Sequence, residues 1–94
     1  MTLVGSVQNV TTTAAQLGLS LGSRTALIVR NPAGSGATIF VGGSNVTAAN
    51  AAFVLAPDAS PLIISSGDRD SLAAESWFAR TSSGTATGVS VTEV

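Results

Sequence analysis

Asp68-Arg69-Asp70 is the one close set of acids in the sequence, and so the first place to look for chemistry. Carboxylate catalysis needs two acids facing one bond, and a calcium loop needs several more oxygen ligands than this segment carries. Two acids flanking an arginine just after Ser66-Gly67 instead read as a solvated turn. The chain has no His, Cys, Tyr or Lys, and so lacks the usual groups for general-base, covalent-nucleophile or Schiff-base roles near neutral pH. Gly34-Ser35-Gly36 and Gly42-Gly43 are not phosphate cradles, because neither opens a helix and no lysine follows. The expectation is a protein that is not an enzyme, with no catalytic, cofactor-binding or metal-ligating residues and no cofactor.

Trp77-Phe78 is the one aromatic pair. In a strand the two rings point to opposite faces, so one fills the core while the other sits at a surface or an interface. Both are candidate anchors for a partner, with both being core residues as the alternative. A sugar-stacking role for the exposed ring would call for clustered polar donors, and none is visible.

The elements that position these residues read as strands. Ala37-Thr-Ile-Phe-Val41 alternates at a two-residue period, and Gly42-Gly43-Ser44-Asn45 supplies residues that tolerate positive φ where the chain reverses before Phe53-Val-Leu-Ala-Pro57. This predicts a hairpin with at least one glycine of the reversal in a left-handed conformation. Turn signals recur at 18–23, 31–36, 57–58, 66–68 and 82–84, bounding strands expected at 3–10, 24–30, 37–41, 52–55, 62–65, 72–80 and 86–94. Residues 13–18 read as a connection, with a short helical turn as the alternative. The fold expected is all-β, a small antiparallel sandwich or barrel of about seven short strands forming one domain over residues 1–94. Residues 1–13 read as an extended N-terminal arm or an edge strand.

Face assignments add a second expectation. Leu27 and Val29 share one face with Ala26 and Ile28 on the other, Phe40 opposes Ile39 and Val41, and Ile63 opposes Leu62 and Ile64. A half-solvated sheet would instead place polar residues at every second position. These strands are therefore expected to be covered on both sides, either by loops of their own chain or by a neighbouring copy. Only 10% of residues are charged and the net charge is −1, against about 25% charged in ordinary soluble domains. Sparse charge favours self-association and argues against nucleic acid or an anionic membrane surface as partner. No apolar run approaches the roughly 18 residues of a membrane span, and Met1 to Ser6 has no positive leader region, so a soluble chain without a cleaved signal is expected.

The stretch from Ala37 to Pro57 resembles a pattern met in small structural proteins of tailed bacteriophages: a strand ending Ile-aromatic-Val, then Gly-Gly-Ser-Asn-Val-Thr, then an apolar pair before Ala-Pro or Pro-Gly. The likeness continues loosely through Ser60 to Ser66, Ser76 to Ala79 and Gly84 to Glu93, about two thirds of the chain. Asp58-Ala59 stands where that pattern often carries a glycine. The resemblance implies a virion component, made in the host cytoplasm and carried on the capsid surface: a decoration (cement) protein that binds the major capsid protein and assembles as a homo-oligomer, a trimer. The alternative within the same resemblance is a head-fibre, tail or baseplate module that binds a host receptor or carbohydrate. A cellular adhesion or pilus-like subunit is a further class, and would call for an export signal and a donor strand. For the decoration role, Leu3, Val4, Val7 and Val10 are the expected capsid contacts, because a terminal strand can add its backbone to an exposed capsid strand while burying those side chains.

Overall fold

A computed structural model describes residues 4–18, 25–65 and 75–94. Leu3, Asp68-Arg69-Asp70, the expected turn at 18–23 beyond Gly18, and the expected turn at 66–68 lie outside the described residues. Eight strands follow in chain order: β1 (Val4–Val10), β2 (Ala15–Gln16), β3 (Ala26–Arg30), β4 (Ile39–Gly42), β5 (Phe53–Leu55), β6 (Leu62–Ser65), β7 (Phe78–Arg80) and β8 (Ala86–Glu93). Among the described residues there is no helix, so the all-β expectation holds.

The strands form two four-stranded antiparallel sheets. Sheet A has the order β1-β8-β3-β6 and sheet B the order β2-β7-β4-β5. The first strand pairs with the last, β2 with β7, β3 with β6 and β4 with β5. This is one long two-stranded ribbon folded over on itself, the strand order of an eight-stranded jelly roll. The connections β1–β2, β3–β4, β5–β6 and β7–β8 meet at one end, tied by backbone hydrogen bonds. Thr81 N–H donates to the Thr11 carbonyl (2.9 Å), Asp58 N–H to that of Asn31 (2.8 Å) and Thr87 N–H to that of Ser35 (3.0 Å).

Alternation of apolar side chains builds the core. Val10, Leu27, Val29, Ile64, Ala86, Val89 and Val91 of sheet A face Leu17, Ile39, Val41, Leu55 and Ala79 of sheet B, all buried. The face assignments for β3, β4 and β6 therefore hold. In β8 both Ala86 and Val89 point inward, three residues apart, because the register against β1 slips between Gln8 and Val10. Gly88, at φ 73°, takes up the extra residue. A glycine in the left-handed region at a bulge costs no Cβ strain.

Two buried or half-buried amides join the sheets. Asn31, fully buried just past β3, donates both amide protons, to the carbonyls of Ala37 (2.9 Å) and Leu55 (2.8 Å). Gln8 of β1 reaches across to sheet B, where its Nε2 donates to the Gln16 carbonyl (3.2 Å) and its Oε1 accepts from Gly18 N–H (3.1 Å).

Three expectations need correction. Residues 13–18 contain a strand, β2, rather than a plain connection. Its pairing with β7 is extended by Leu17 N–H donating to the Trp77 carbonyl (2.8 Å). The strand expected over 72–80 is Phe78–Arg80, residues 75–77 being outside it and 71–74 outside the described residues. The hairpin is present, with Ile39 opposite Leu55 and Val41 opposite Phe53, but neither Gly42 nor Gly43 has positive φ. Gly42 is the last residue of β4, and Val46 folds back onto it: a Cβ there would stand 3.1 Å from Val46 Cγ2. Close approach, not backbone handedness, is what requires this glycine. At the next turn Asp58 takes the left-handed position, at φ 64°, following Pro57, with Ala59 N–H bonded to the Ala56 carbonyl (3.1 Å). That is a type II turn with an acid where glycine is usual.

Gly42→Val should therefore destabilise by about 1–3 kcal/mol through overpacking, while Gly43→Val, whose Cβ meets only Asn45 Oδ1 at 3.5 Å, should stay within about 0.5–1 kcal/mol. Thermal melting of both variants checks this, and equal losses would contradict the close-approach reading. Asn31→Asp, nearly isosteric, turns a double donor into an acceptor facing two carbonyls. Asn31→Ala removes one donor from each carbonyl, at about 1–3 kcal/mol for the buried bond to Leu55 and less at Ala37, which keeps the Ser35 hydroxyl (3.3 Å). Both should lower Tm sharply, Asp more than Ala. If Asn31→Asp melts at or above the Tm of Asn31→Ala, the amide hydrogen bonds are not what holds this end.

Candidate functional site

The outer face of sheet B is the strongest candidate for a binding surface. Ala79 of β7 and Val41 of β4 are opposite one another and fully buried, so alternation turns Phe78, Arg80 and Phe40 to the outside. Phe40 pairs with Arg80 on one side and Val54 on the other, while Phe78 stands between Gln16 and Gly42. Val54 is 57% exposed. Phe40, Phe78 and Arg80 are half-buried. The chain has four aromatic residues, and two of them lie on this face.

The other two aromatics serve the core. Trp77 precedes β7 and packs against the core beside Phe53, with ring centroids 5.8 Å apart and ring planes inclined at 46°. The two candidate anchors thus divide as alternation requires: Phe78 looks outward and Trp77 inward, with part of its ring lining a shallow open cleft of about 230 Å³ shared with Gly42, Gly43, Glu75 and Ser76. That cleft is walled almost wholly by carbon.

The residues expected to touch a capsid are split by the structure. Val7 is 71% exposed on the outer face of sheet A. Val10 is fully buried opposite Ala86 and is a core residue, so it is not available to a partner. The backbone of Val4 pairs with Glu93. With β1 hydrogen-bonded along β8, this segment is an edge strand of sheet A rather than a free arm, and removing residues 1–10 would take Val10 and the Gln8 bridge out of the domain.

Gly42, Gly43, Ser44 and Asn45 begin a connection closed by its own hydrogen bonds. Val46 N–H donates to the Gly43 carbonyl (3.0 Å), Thr47 N–H to Asn50 Oδ1 (2.6 Å), and Asn50 N–H to Thr47 Oγ1 (3.3 Å). These exposed polar groups satisfy one another, which fits a structural role. Among the described residues no group of three or more His, Cys, Asp or Glu is placed to hold a metal ion. Compared with protein-family models, curated proteins and solved structures, the chain has no match.

Phe40 was legible as an outer-face residue from strand alternation. Val54 was not singled out, although the same alternation within Phe53-Val-Leu55 marks it. The two faces make a direct test. Val54→Asp should fold with a stability within about 1 kcal/mol of the parent, as surface substitutions do, whereas Val41→Asp buries an unpaired carboxylate and should prevent folding. Circular dichroism and melting of the two variants distinguish them, and comparable losses would mean that sheet B is covered on both sides.

Proposed function

We propose that this protein is a non-enzymatic virion component of a tailed bacteriophage, a decoration protein that docks on the outer surface of the capsid and stabilises the head. The observation that carries the docking is the outer face of sheet B, where Phe40 stands between Arg80 and Val54 and Phe78 lies on the same strand as Arg80. Aromatic and arginine side chains on a mostly uncharged surface are the composition of protein–protein interface cores. The virion setting is supported by the resemblance over residues 37–57. A jelly roll by itself selects no function, since the same architecture hosts shell proteins, lectins and cupins.

Cementing works by linkage. A ligand that binds only the assembled shell lowers its free energy by RT ln(1 + L/Kd) for each site, L being its free concentration, so no bond needs to be made or broken. The partner in this reading is the major capsid protein, and the decoration protein acts as a homo-oligomer, a trimer. Its surface would meet the shell through sheet B, leaving the four-connection end and sheet A for other contacts.

Adding purified protein to capsids that lack it should restore heat resistance at saturating occupancy. Val54→Asp should bind at least tenfold more weakly, the about 1.4 kcal/mol of a lost central contact, while Ala33→Asp, at the loop end, should bind like the parent. Failure to bind capsids together with co-purification with tails would replace the decoration reading by the tail or baseplate module. Equal binding by Val54→Asp would move the docking face elsewhere.

A further inference from the structure

We propose that copies of this chain join edge to edge, β6 of one copy adding to β1 of the next so that sheet A runs on across the contact. The inference does not depend on the capsid reading.

Unpaired sheet edges are a hazard that proteins blunt with very short edge strands, charged side chains or proline. Sheet B obeys this rule: its edges, β2 and β5, are two and three residues long. Sheet A does not. Its edges are β1, seven residues reading Val-Gly-Ser-Val-Gln-Asn-Val, and β6, four residues reading Leu-Ile-Ile-Ser. Neither strand contains a charge or a proline, and among the described residues nothing pairs with their outer edges.

Direction and facing also agree. From β1 to β6 there are three antiparallel steps, so the two edges run in opposite directions. A second copy placed beside the first in the same orientation therefore brings its β1 antiparallel to β6, which continues the alternation of the sheet. Ile63, 63% exposed on β6, and Val7, 71% exposed on β1, both lie on the outer face of sheet A. The same contact brings them side by side as a cross-strand aliphatic pair. A symmetric contact of β1 with β1 is also antiparallel, but it would leave β6 and Ile63 open. The β6-to-β1 contact uses both open edges and both aliphatics at once. It is heterologous, so each copy offers one of each edge and the assembly grows, as a ring if the rotation between copies closes and as an open filament if it does not.

The native chain has no cysteine, which makes disulfide trapping clean. Under mild oxidation the double variant V7C/I63C should give a ladder of cross-linked multimers. V7C alone and I63C alone should give none, and an equimolar mixture of the two should give cross-linked pairs only. Val7→Lys and Ile63→Lys should each reduce the mass in light scattering to a single chain with unchanged melting, because both side chains are exposed, while their mixture should recover a pair through the two intact edges. Cross-linking of V7C with itself, an Ile63→Lys variant that still associates, or a single-chain mass for the parent protein would each overturn the proposal.

Discussion

Asn31 closes the sandwich at the end where four connections meet. Its side chain leaves sheet A at the end of β3 and gives both amide protons to sheet B, one to Leu55 at the end of β5 and one to Ala37 on the approach to β4. The Leu55 carbonyl is met in the buried interior, while the Ala37 carbonyl also accepts from the Ser35 hydroxyl (3.3 Å); a buried polar group left unpaired costs more than a hydrogen bond gains. The backbone carbonyl of Asn31 meanwhile accepts from Asp58, so one residue fixes the β3–β4 connection, the β5–β6 turn and the spacing of the sheets. Among the described residues its own Oδ1 finds no donor; the geometry spends the amide on its donors. Gln8 performs the matching task on the β1 and β2 side, with one donor and one acceptor.

Apart from Glu93 of β8, which is also buried, the interior between the strands is apolar, and that apolar part was plain in the sequence. Leu27 and Val29, Ile39 and Val41, and Ile64 each stand out because β-branched and aliphatic residues recur at every second position within runs bounded by turn residues. What escaped was whatever depends on distance along the chain. β2 is two residues, Ala15-Gln16, with no β-branched side chain; it is a strand because β7 lies beside it and Leu17 is held in the core. Asn31 precedes a proline and reads locally as a turn residue, while one of its partners lies 24 residues further on. Gly42 was misread because glycine answers two different needs, positive φ and close approach, and a sequence does not say which one operates. At Gly42 it is the Val46 side chain, and at Gly88 it is the backbone.

The candidate surfaces follow the same division. Phe40 and Ile63 were visible as apolar residues on the wrong side of their strands, whereas Val10 was grouped with Val7 although alternation along β1 puts the two on opposite faces; the bulge lies in β8 and is what brings Ala86 inward to meet Val10. The outcome is a molecule with two unlike exteriors. Sheet B presents aromatic rings and an arginine on a face with short edges. Sheet A presents Val7, Ile28 and Ile63 with Arg30, Ser90 and Thr92 on a face with longer, open ones.

The folded ribbon also sets an order of events during synthesis. The β4 and β5 strands are joined by a short connection and can meet early, since closing a small loop costs little entropy. Sheet A is different, because β8 lies between β1 and β3 and is the last of the eight strands to be made. Until residues 86–93 leave the ribosome, β1 has no neighbour, β3 has only β6, and Leu27 and Val29 have half of their covering. The emerging chain must therefore keep an unfinished sheet from pairing with other nascent copies, and its final strand is the one that makes the domain whole.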